Sequence, residues 1–338
     1  MSAVFTSAVG VNVPRSVDTV VAVVVEDVVG AGDDAGGAAG AQTRRDDLGE
    51  EFTPVRFVQS HSITLRVVRW ESALRCGVPE VLEMESYRRL AERVVGARVI
   101  SGWADQYLAR KLVSPGAWAA AVAGRRITGT SRRGKLLVLE TDSVPLGVRF
   151  GMTGVLLVDG DAGLEGLFYG PHQFRDEWVR GGLVLDDGRR LVVHDPRRLA
   201  RVEIDPDLDA LGADALSLTR TQFDQVLAVT RGDGPAIKAR LLDQSRVAGV
   251  GNLLADEMLY LAGVDPRTPT AHLDTAQRRA LYRAFTQMVR TLGRRGGSHT
   301  GDHMSARVPE GRCPLDGTPM AVATIGGRTT YWCPAHQR

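Results

Sequence analysis

The chain has 338 residues, of which 43% are hydrophobic and 24% charged, a composition ordinary for a globular protein large enough for two or more domains. No apolar run approaches the roughly 18 residues needed to span a bilayer, and no basic stretch with a hydrophobic core follows Met1 as in a secretory signal. These features argue against a membrane or secreted protein and favour the cytoplasm, and the odd count of three cysteines fits a reducing compartment.

The first 77 residues do not have the pattern of a folded domain. Residues 30–40 are a tract of Gly, Ala and Asp with little to bury, and the valine-rich residues 20–25 predict at most a lone strand. From residue 79 onward, apolar side chains recur at helical spacing up to Gly96. This spacing predicts a helix opened by Pro79, whose missing N–H costs nothing at that position.

Residues 98–204 contain short apolar segments separated by turn residues, which predicts a β-sandwich. The pair Asp187-Gly188 is a strong hairpin signal. The predicted strands include 136–139, 155–158, 183–185 and 191–193. Beyond residue 215 the periodicity becomes helical and predicts helices over 219–229, 236–242, 253–262 and 275–292. The residues from Gly311 onward are too few for a core but hold two Cys and a His, which indicates a metal-stapled hairpin.

The run Pro79-Glu80-Val81-Leu82-Glu83-Met84-Glu85 resembles the N-terminal signature of formamidopyrimidine-DNA glycosylase and endonuclease VIII, which begin Pro-Glu after the initiator Met. The resemblance implies that Pro79, as a free secondary amine, attacks the sugar C1′ and forms a Schiff base. Glu80 can then protonate the ring oxygen, and Glu83, one helical turn on, can assist proton transfers. The alternative is purely structural, because acidic residues are common in the first turn of a helix.

Two further segments resemble parts of the same family. Residues 131–136 resemble the strand whose lysine contacts the phosphate beside the lesion, which implies that role for Lys135, although a lone lysine is usually solvated surface. Residues 150–154 resemble the loop whose methionine fills the hole left by an everted nucleotide. Met152 is therefore expected to be a DNA wedge, with a simple core position as the alternative.

The run Asp195-Pro196-Arg197-Arg198 resembles the family's intercalation loop, which implies that Arg197 faces the widowed base. The formamidopyrimidine branch usually has a wedging Phe two positions later, where this chain has Leu199, so Leu199 is expected to contact DNA in its place. Residues 237–252 resemble the helix-two-turn-helix. That resemblance implies that Lys238 and Asn252, with the amides of a helix N-terminus, grip the phosphates flanking the lesion.

The C-terminal residues Cys313, Asp316, Cys333 and His336 have the spacing of the family's zinc hairpin, which uses four Cys. Asp and His also ligate zinc, so one structural Zn²⁺ is expected, with a hairpin that has lost its metal as the alternative. Arg328 falls on the hairpin-tip arginine that reaches the lesion phosphate.

The resemblance implies an α+β multidomain fold: an N-terminal β-sandwich with flanking helices, a helical helix-two-turn-helix domain and a C-terminal zinc β-hairpin. We place these at residues 79–210, 215–303 and 311–338, after a non-native or disordered extension over residues 1–78. Pro79 can act only with a free nitrogen. We therefore interpret Val78 as a GTG start codon read as valine, with proteolytic maturation as the rival explanation.

The implied function is base-excision repair: a DNA glycosylase with AP lyase activity that removes oxidised bases and nicks the strand by β/δ-elimination. Its expected partner is double-stranded DNA with damaged bases or abasic sites, bound by a monomer. Only residues 298–312 separate Gly297 from Cys313, too few for the lid of the 8-oxoguanine enzymes. The main alternative is a non-catalytic DNA-binding protein. A zinc hydrolase is disfavoured because four protein ligands leave no open position for water.

Overall fold

The structure, a computed structural model, describes residues 79–163 and 174–338, and before them the backbone of four strands. These strands form two antiparallel pairs: Val20–Asp27 (β1) with Ile63–Trp70 (β4), and Arg44–Arg45 (β2) with Glu51–Phe52 (β3). The expectation of a lone strand over residues 20–25 is wrong, because β1 has a partner. The remainder of the predicted extension over residues 1–78 lies outside the described residues.

Two four-stranded antiparallel sheets follow. In the first, the order is Val99–Ala104 (β5), Val179–Leu185 (β10), Arg190–His194 (β11) and Val155–Val158 (β9). In the second, it is Arg201–Ile204 (β12), Leu146–Arg149 (β8), Leu136–Thr141 (β7) and Ile127–Arg133 (β6). Both sheets contribute side chains to one hydrophobic core, among them the fully buried Leu139 and Leu183. Each of the four predicted strand segments lies within one of these strands.

Two helices accompany the sheets. The helix predicted from Pro79 to Gly96 is shorter: α1 covers Val81–Ala91 and continues as the 3₁₀ turn Glu92–Val94, with Glu80 as its N-cap. Helix α2, Pro115–Val122, is absent from the sequence prediction. Its start is nevertheless encoded locally, because the Ser114 side chain accepts a hydrogen bond from the Ala117 amide and Pro115 occupies the first helical position.

Four helices build a second core: Arg220–Val226 (α3), Ile237–Leu242 (α4), Asn252–Ala262 (α5) and Thr275–Arg295 (α6). All four match predicted helices, although α3 ends three residues early and α6 runs three residues further. Short parallel strands, Ala213–Asp214 (β13) and Val247–Ala248 (β14), lie beside them. Helix α1 belongs to both cores, since Val81 and Leu82 pack with the helices while Met84 and Tyr87 pack with the sheets.

The chain ends in an antiparallel hairpin of Ala321–Ile325 (β15) and Arg328–Trp332 (β16). Gly326 and Gly327 form its tip with φ of 59° and 72°, a left-handed conformation that favours glycine. Across the parts of the chain that the structure describes, no helix is both long and apolar enough to cross a membrane.

Candidate active site

The carboxylate of Glu80 lies at the amino end of α5. It is only 1% exposed and accepts hydrogen bonds from the amides of Gly251 at 2.7 Å, Leu253 at 2.8 Å and Leu254 at 3.2 Å. Unpaired amides and the helix dipole make such an end a natural anion site. Burial raises the pKa of Glu80, although the charge of Lys135 and the helix amides oppose the rise. Burial and the three amide contacts therefore hold the carboxyl group in one position at the helix end.

Glu83 is fixed by contacts at both of its oxygens. One accepts hydrogen bonds from the Ser298 amide at 2.6 Å and the Ser298 hydroxyl at 2.7 Å, and the other accepts from the Glu80 amide at 2.9 Å. The side chain is 3% exposed. Glu83 thus ties the start of α1 to the turn that follows α6. Ser298 was not recognised as a site residue from the sequence, because only the fold brings it to Glu83.

The amine of Lys135 lies beside Glu80 at the same helix end. A methyl group placed on Gly251 would lie 2.5 Å from the Lys135 Nζ and 2.4 Å from the Glu80 carboxyl carbon. Burial lowers the pKa of Lys135, while the charges of Glu80 and Glu83 raise it and that of Arg328 lowers it further. The charges of Lys135, Glu80 and the exposed hairpin-tip Arg328 therefore act on one another within one site.

The turn that carries Lys135 is held in place by Asp214. This carboxylate accepts hydrogen bonds from the Gly134 amide at 2.6 Å and from two guanidinium nitrogens of Arg132 at 2.6 and 2.9 Å. Gly134 has a φ of 56°, and a methyl group there would lie 2.6 Å from the Ala248 side chain. Only glycine permits this approach between the β6–β7 turn and the helical domain.

Pro79 is buried and lines a cavity of about 200 Å³ next to these groups. Lys135, Phe150 and Gln244 also line it. Gln244 lies within the predicted helix-two-turn-helix segment, residues 237–252, but the resemblance assigned it no role. Its side chain holds the glycine turn before α5, since it donates to the Val250 carbonyl at 2.8 Å and accepts from the Gly249 amide at 3.0 Å.

The two proposed DNA wedges lie on loops that contact each other. Met152 is partly exposed, and Leu199 is 36% exposed. Gly151, with a φ of 64°, lies so close to Leu199 that a methyl group on it would be 2.6 Å from the leucine Cβ. The Thr153 hydroxyl also donates to Asp195 at 2.6 Å. The structure thus brings the loop of Met152 against the loop of Leu199, which also carries exposed Arg197.

Lys238 is not placed to grip a phosphate. Its side chain is 0% exposed, forms an ion pair with Asp256 at 2.6 Å and donates to the Thr330 hydroxyl at 2.7 Å. Burial lowers its pKa to about 8, although Asp256 opposes the shift. The predicted phosphate contact of Lys238 is wrong for this structure, because a fully buried amine cannot meet a phosphate at the surface. Partly exposed Asn252 donates to the Thr329 carbonyl at 3.1 Å, so both residues hold strand β16.

The four predicted metal ligands form one cluster. Their ligand atoms all lie within 4.8 Å of one another. The Cys313 sulfur is 3.5 Å from His336 Nδ1, and the Cys333 sulfur is 3.4 Å from an Asp316 oxygen. His336 Nε2 is 3.2 Å from the Tyr260 carbonyl, which leaves Nδ1 free to face the cluster.

Comparison with known proteins identifies the family. The model of the formamidopyrimidine-DNA glycosylase N-terminal domain matches residues 78–202, and that of the family's H2TH domain matches residues 211–302. Formamidopyrimidine-DNA glycosylase of Chloroflexus aggregans is 34% identical over 282 residues, which cover 77% of this chain and 98% of the relative. The chain belongs to the formamidopyrimidine-DNA glycosylase family. It is a base-excision DNA glycosylase.

Further comparisons agree with this assignment. The enzyme of the same name from Thermus thermophilus is 32% identical, with 77% of this chain and 98% of the relative covered. A solved complex of the LlFpg protein with THF-DNA and an inhibitor superposes with a TM-score of 0.64 at 25% identity, covering 77% of this chain and all of that one. The mixed fold of sheets and helices is therefore that of the family.

The glycine at the start of α5 provides a test of the site's geometry. Gly251→Ala is expected to lower glycosylase activity by about 100-fold, because moving catalytic groups by even ~1 Å can cost that much. The new methyl group must displace Glu80 or Lys135. Gly116→Ala is the matched control, since its methyl group would meet nothing closer than 3.7 Å. Steady-state kinetics on a lesion duplex measure both variants, and full activity in Gly251→Ala would contradict the arrangement.

Proposed function

We propose that the chain excises oxidised bases from double-stranded DNA and then nicks the strand, with the nitrogen of Pro79 as nucleophile. The observation that carries this proposal is the convergence of Pro79, Glu80 and Lys135 on the amino end of α5. An amine, a proton donor and a cation at one buried site are the groups that Schiff-base chemistry requires.

The reaction follows from these groups. The Pro79 nitrogen forms a bond to C1′, the bond from C1′ to the base breaks, and Glu80, whose pKa burial raises, donates a proton to the ring oxygen as the sugar opens. The base leaves with its bonding electrons, and the proton lost from the Pro79 nitrogen balances the one that the base takes up. The resulting iminium acidifies C2′–H, so that loss of this proton expels the 3′ phosphate and a second elimination expels the 5′ phosphate. Lys135 and Arg328 would hold these phosphates as counter-charges.

DNA as the partner is supported by the wedge loops and by the relatives. Met152 and Leu199 are apolar, partly exposed and carried by adjacent loops, as suits residues that fill the space of an everted nucleotide. The LlFpg structure of the same fold contains THF-DNA. Since the relatives are bacterial enzymes, we place the activity in the bacterial cytoplasm.

The proposed chemistry requires that Pro79 be the first residue of the working protein, because an acylated nitrogen has no lone pair to donate. The sequence relatives support this requirement: 98% of the Chloroflexus aggregans enzyme aligns with 77% of this chain, and the family match starts at residue 78.

A one-residue difference tests the nucleophile. We expect the chain that starts at Pro79 to nick abasic-site DNA and to become covalently attached to it in the presence of borohydride. The matched control keeps one glycine before Pro79, which converts the amine to an amide and should abolish both results while DNA binding persists. Equal attachment of the two proteins would overturn the assignment of Pro79. Binding without attachment by either would leave a non-catalytic DNA-binding protein.

We propose oxidised pyrimidines and formamidopyrimidines, rather than 8-oxoguanine, as preferred lesions. The short segment 298–312 is packed onto α5 in place of a lid. Glu257 accepts hydrogen bonds from the amides of Asp302 at 2.8 Å and His303 at 3.1 Å, and Arg307 forms a buried ion pair with Asp256. These contacts argue for a fixed wall in place of the mobile lid that the 8-oxoguanine enzymes close over the flipped base.

An excision panel tests this preference. On duplexes with defined lesions, kcat/KM is expected to be about tenfold or more higher for an oxidised pyrimidine than for 8-oxoguanine opposite cytosine, because missing pocket contacts cost roughly this much. An abasic-site duplex serves as the control, since it needs no base pocket and measures the lyase step alone. If 8-oxoguanine opposite cytosine is the best substrate, the interpretation of the short segment is wrong.

We propose that the C-terminal cluster holds one structural Zn²⁺. Tetrahedral zinc with bonds of about 2.0–2.3 Å places its ligands about 3.3–3.8 Å apart, close to the 3.5 and 3.4 Å separations within the cluster. The Tyr260 carbonyl fixes the ring of His336, as a partner of a zinc-bound histidine does. The metal would staple the hairpin that carries Arg328, and it takes no part in the chemistry.

Metal analysis tests the zinc proposal. The purified protein is expected to contain about one zinc per chain, and a strong chelator should lower its melting temperature, because structural zinc contributes folding energy. His336→Ala should lose the metal. His272→Ala is the control, since this imidazole is 58% exposed and pairs with Asp233 outside the cluster. A protein that is free of zinc and insensitive to chelator would show that the hairpin folds without metal.

A further inference from the structure

The backbone carbonyls of the loop that carries Arg197 and Leu199 accept hydrogen bonds from Arg110, which none of the sequence motifs includes. Arg110 lies in the segment between β5 and α2. Its guanidinium donates to the carbonyls of Leu199 and Ala200, and more weakly to that of Arg198 at 3.4 Å. One side chain thus bonds three consecutive carbonyls of the loop.

The backbone amides of the same loop donate hydrogen bonds to Asp195. Its buried carboxylate accepts hydrogen bonds from the amides of Arg197 at 3.1 Å, Leu199 at 2.6 Å and Ala200 at 2.6 Å. Two charged side chains of opposite sign therefore hold the loop's carbonyls and amides separately. This pattern specifies one backbone conformation, because each group has a fixed partner.

The middle of the loop adopts a conformation that needs such support. Arg198 has a φ of 58°, in the left-handed region that disfavours residues with a side chain. Its guanidinium lies 4.6 Å from the ring centre of Tyr107 and donates to the Tyr107 hydroxyl at 3.1 Å. Tyr107 is on the same segment as Arg110, whose Nη1 also donates to the Tyr107 carbonyl at 2.8 Å.

That segment is itself anchored to the sandwich. Leu108 and Ala109 are buried, and the Leu108 carbonyl accepts a hydrogen bond from the Val202 amide at 3.0 Å. Asp105 bonds the Tyr107 and Leu108 amides at 2.9 and 2.8 Å. The segment is therefore a fixed support for the loop.

We propose that Arg110, assisted by Tyr107, is a positioning residue that holds the intercalation loop in the shape in which Arg197 and Leu199 enter the duplex. The inference rests on the proposed function, because it assumes that this loop meets DNA. Arg110 would act through the loop backbone and not through the reacting atoms. Arginine suits the task because its planar fork reaches several carbonyls at once, whereas the point charge of lysine does not.

Fluorescence of 2-aminopurine tests whether Arg110 holds the loop, in a duplex that cannot react. The base is placed opposite an unreactive abasic-site analogue in a duplex, and the full chain is added to saturation, as judged by anisotropy. Entry of the loop unstacks the probe and should raise its fluorescence. Arg110→Ala is expected to lose at least half of that rise at saturation, and Arg110→Lys to lose part of it. Arg189→Ala is the control, because it removes a partly exposed arginine whose guanidinium donates to Asp187 of its own hairpin turn.

The outcomes separate this inference from the proposed function. A full rise in Arg110→Ala, or no rise with the parent protein, would overturn the role of Arg110. If Arg110→Ala shows a lowered melting temperature and Arg110→Lys matches it in both melting and fluorescence, the residue is merely structural and the inference also fails. Failure of strand nicking by the parent would contradict the enzyme proposal alone, since the fluorescence measurement uses an analogue that cannot react.

Discussion

The contact between the Glu80 carboxylate and the amino end of α5 is the interaction on which the rest of the site depends. Three helix amides converge on one buried carboxylate, and these bonds fasten the start of α1 to the helical domain. Helix α1 also packs into both hydrophobic cores. The residue just before the helix, Pro79, therefore lies at the junction of the sandwich and the helices, where neither domain alone could form a site.

Close backbone approach makes this junction possible. Gly249, with a φ of 111°, accepts a hydrogen bond from the Val81 amide at 3.1 Å, and a methyl group on it would lie 2.7 Å from the Val81 side chain. Gly251 is equally confined, because a methyl group on it would overlap with Glu80 and Lys135. The same closeness affects protonation. Burial raises the pKa of Glu80 and lowers that of Lys135, while the opposite charges of the two groups oppose both shifts.

Local sequence patterns were enough to predict most strands and helices. The contacts between residues far apart in the sequence could not be predicted from them. Short apolar segments between turn residues located the strands, and helical spacing located the four helices of the second core. The order of the motifs brought Glu80 and Lys135 into one hypothesis. Lys238 was misassigned because its partner Asp256 is on another helix and no local pattern reveals a buried ion pair. Helix α2 was overlooked although Ser114 and Pro115 mark its start, since the surrounding strand pattern dominated. The support by Arg110 depends on a loop far away in sequence, which single-sequence reasoning does not reach.

The central claim is that the nitrogen of Pro79 becomes bonded to the sugar. Peptide mapping by tandem mass spectrometry of the borohydride-reduced protein–DNA adduct tests it most directly. The account predicts a reduced sugar remnant on the amino-terminal peptide, attached to the nitrogen of Pro79. A remnant on the side chain of Lys135, or on either of the other lysines of the chain, Lys111 and Lys238, would contradict it.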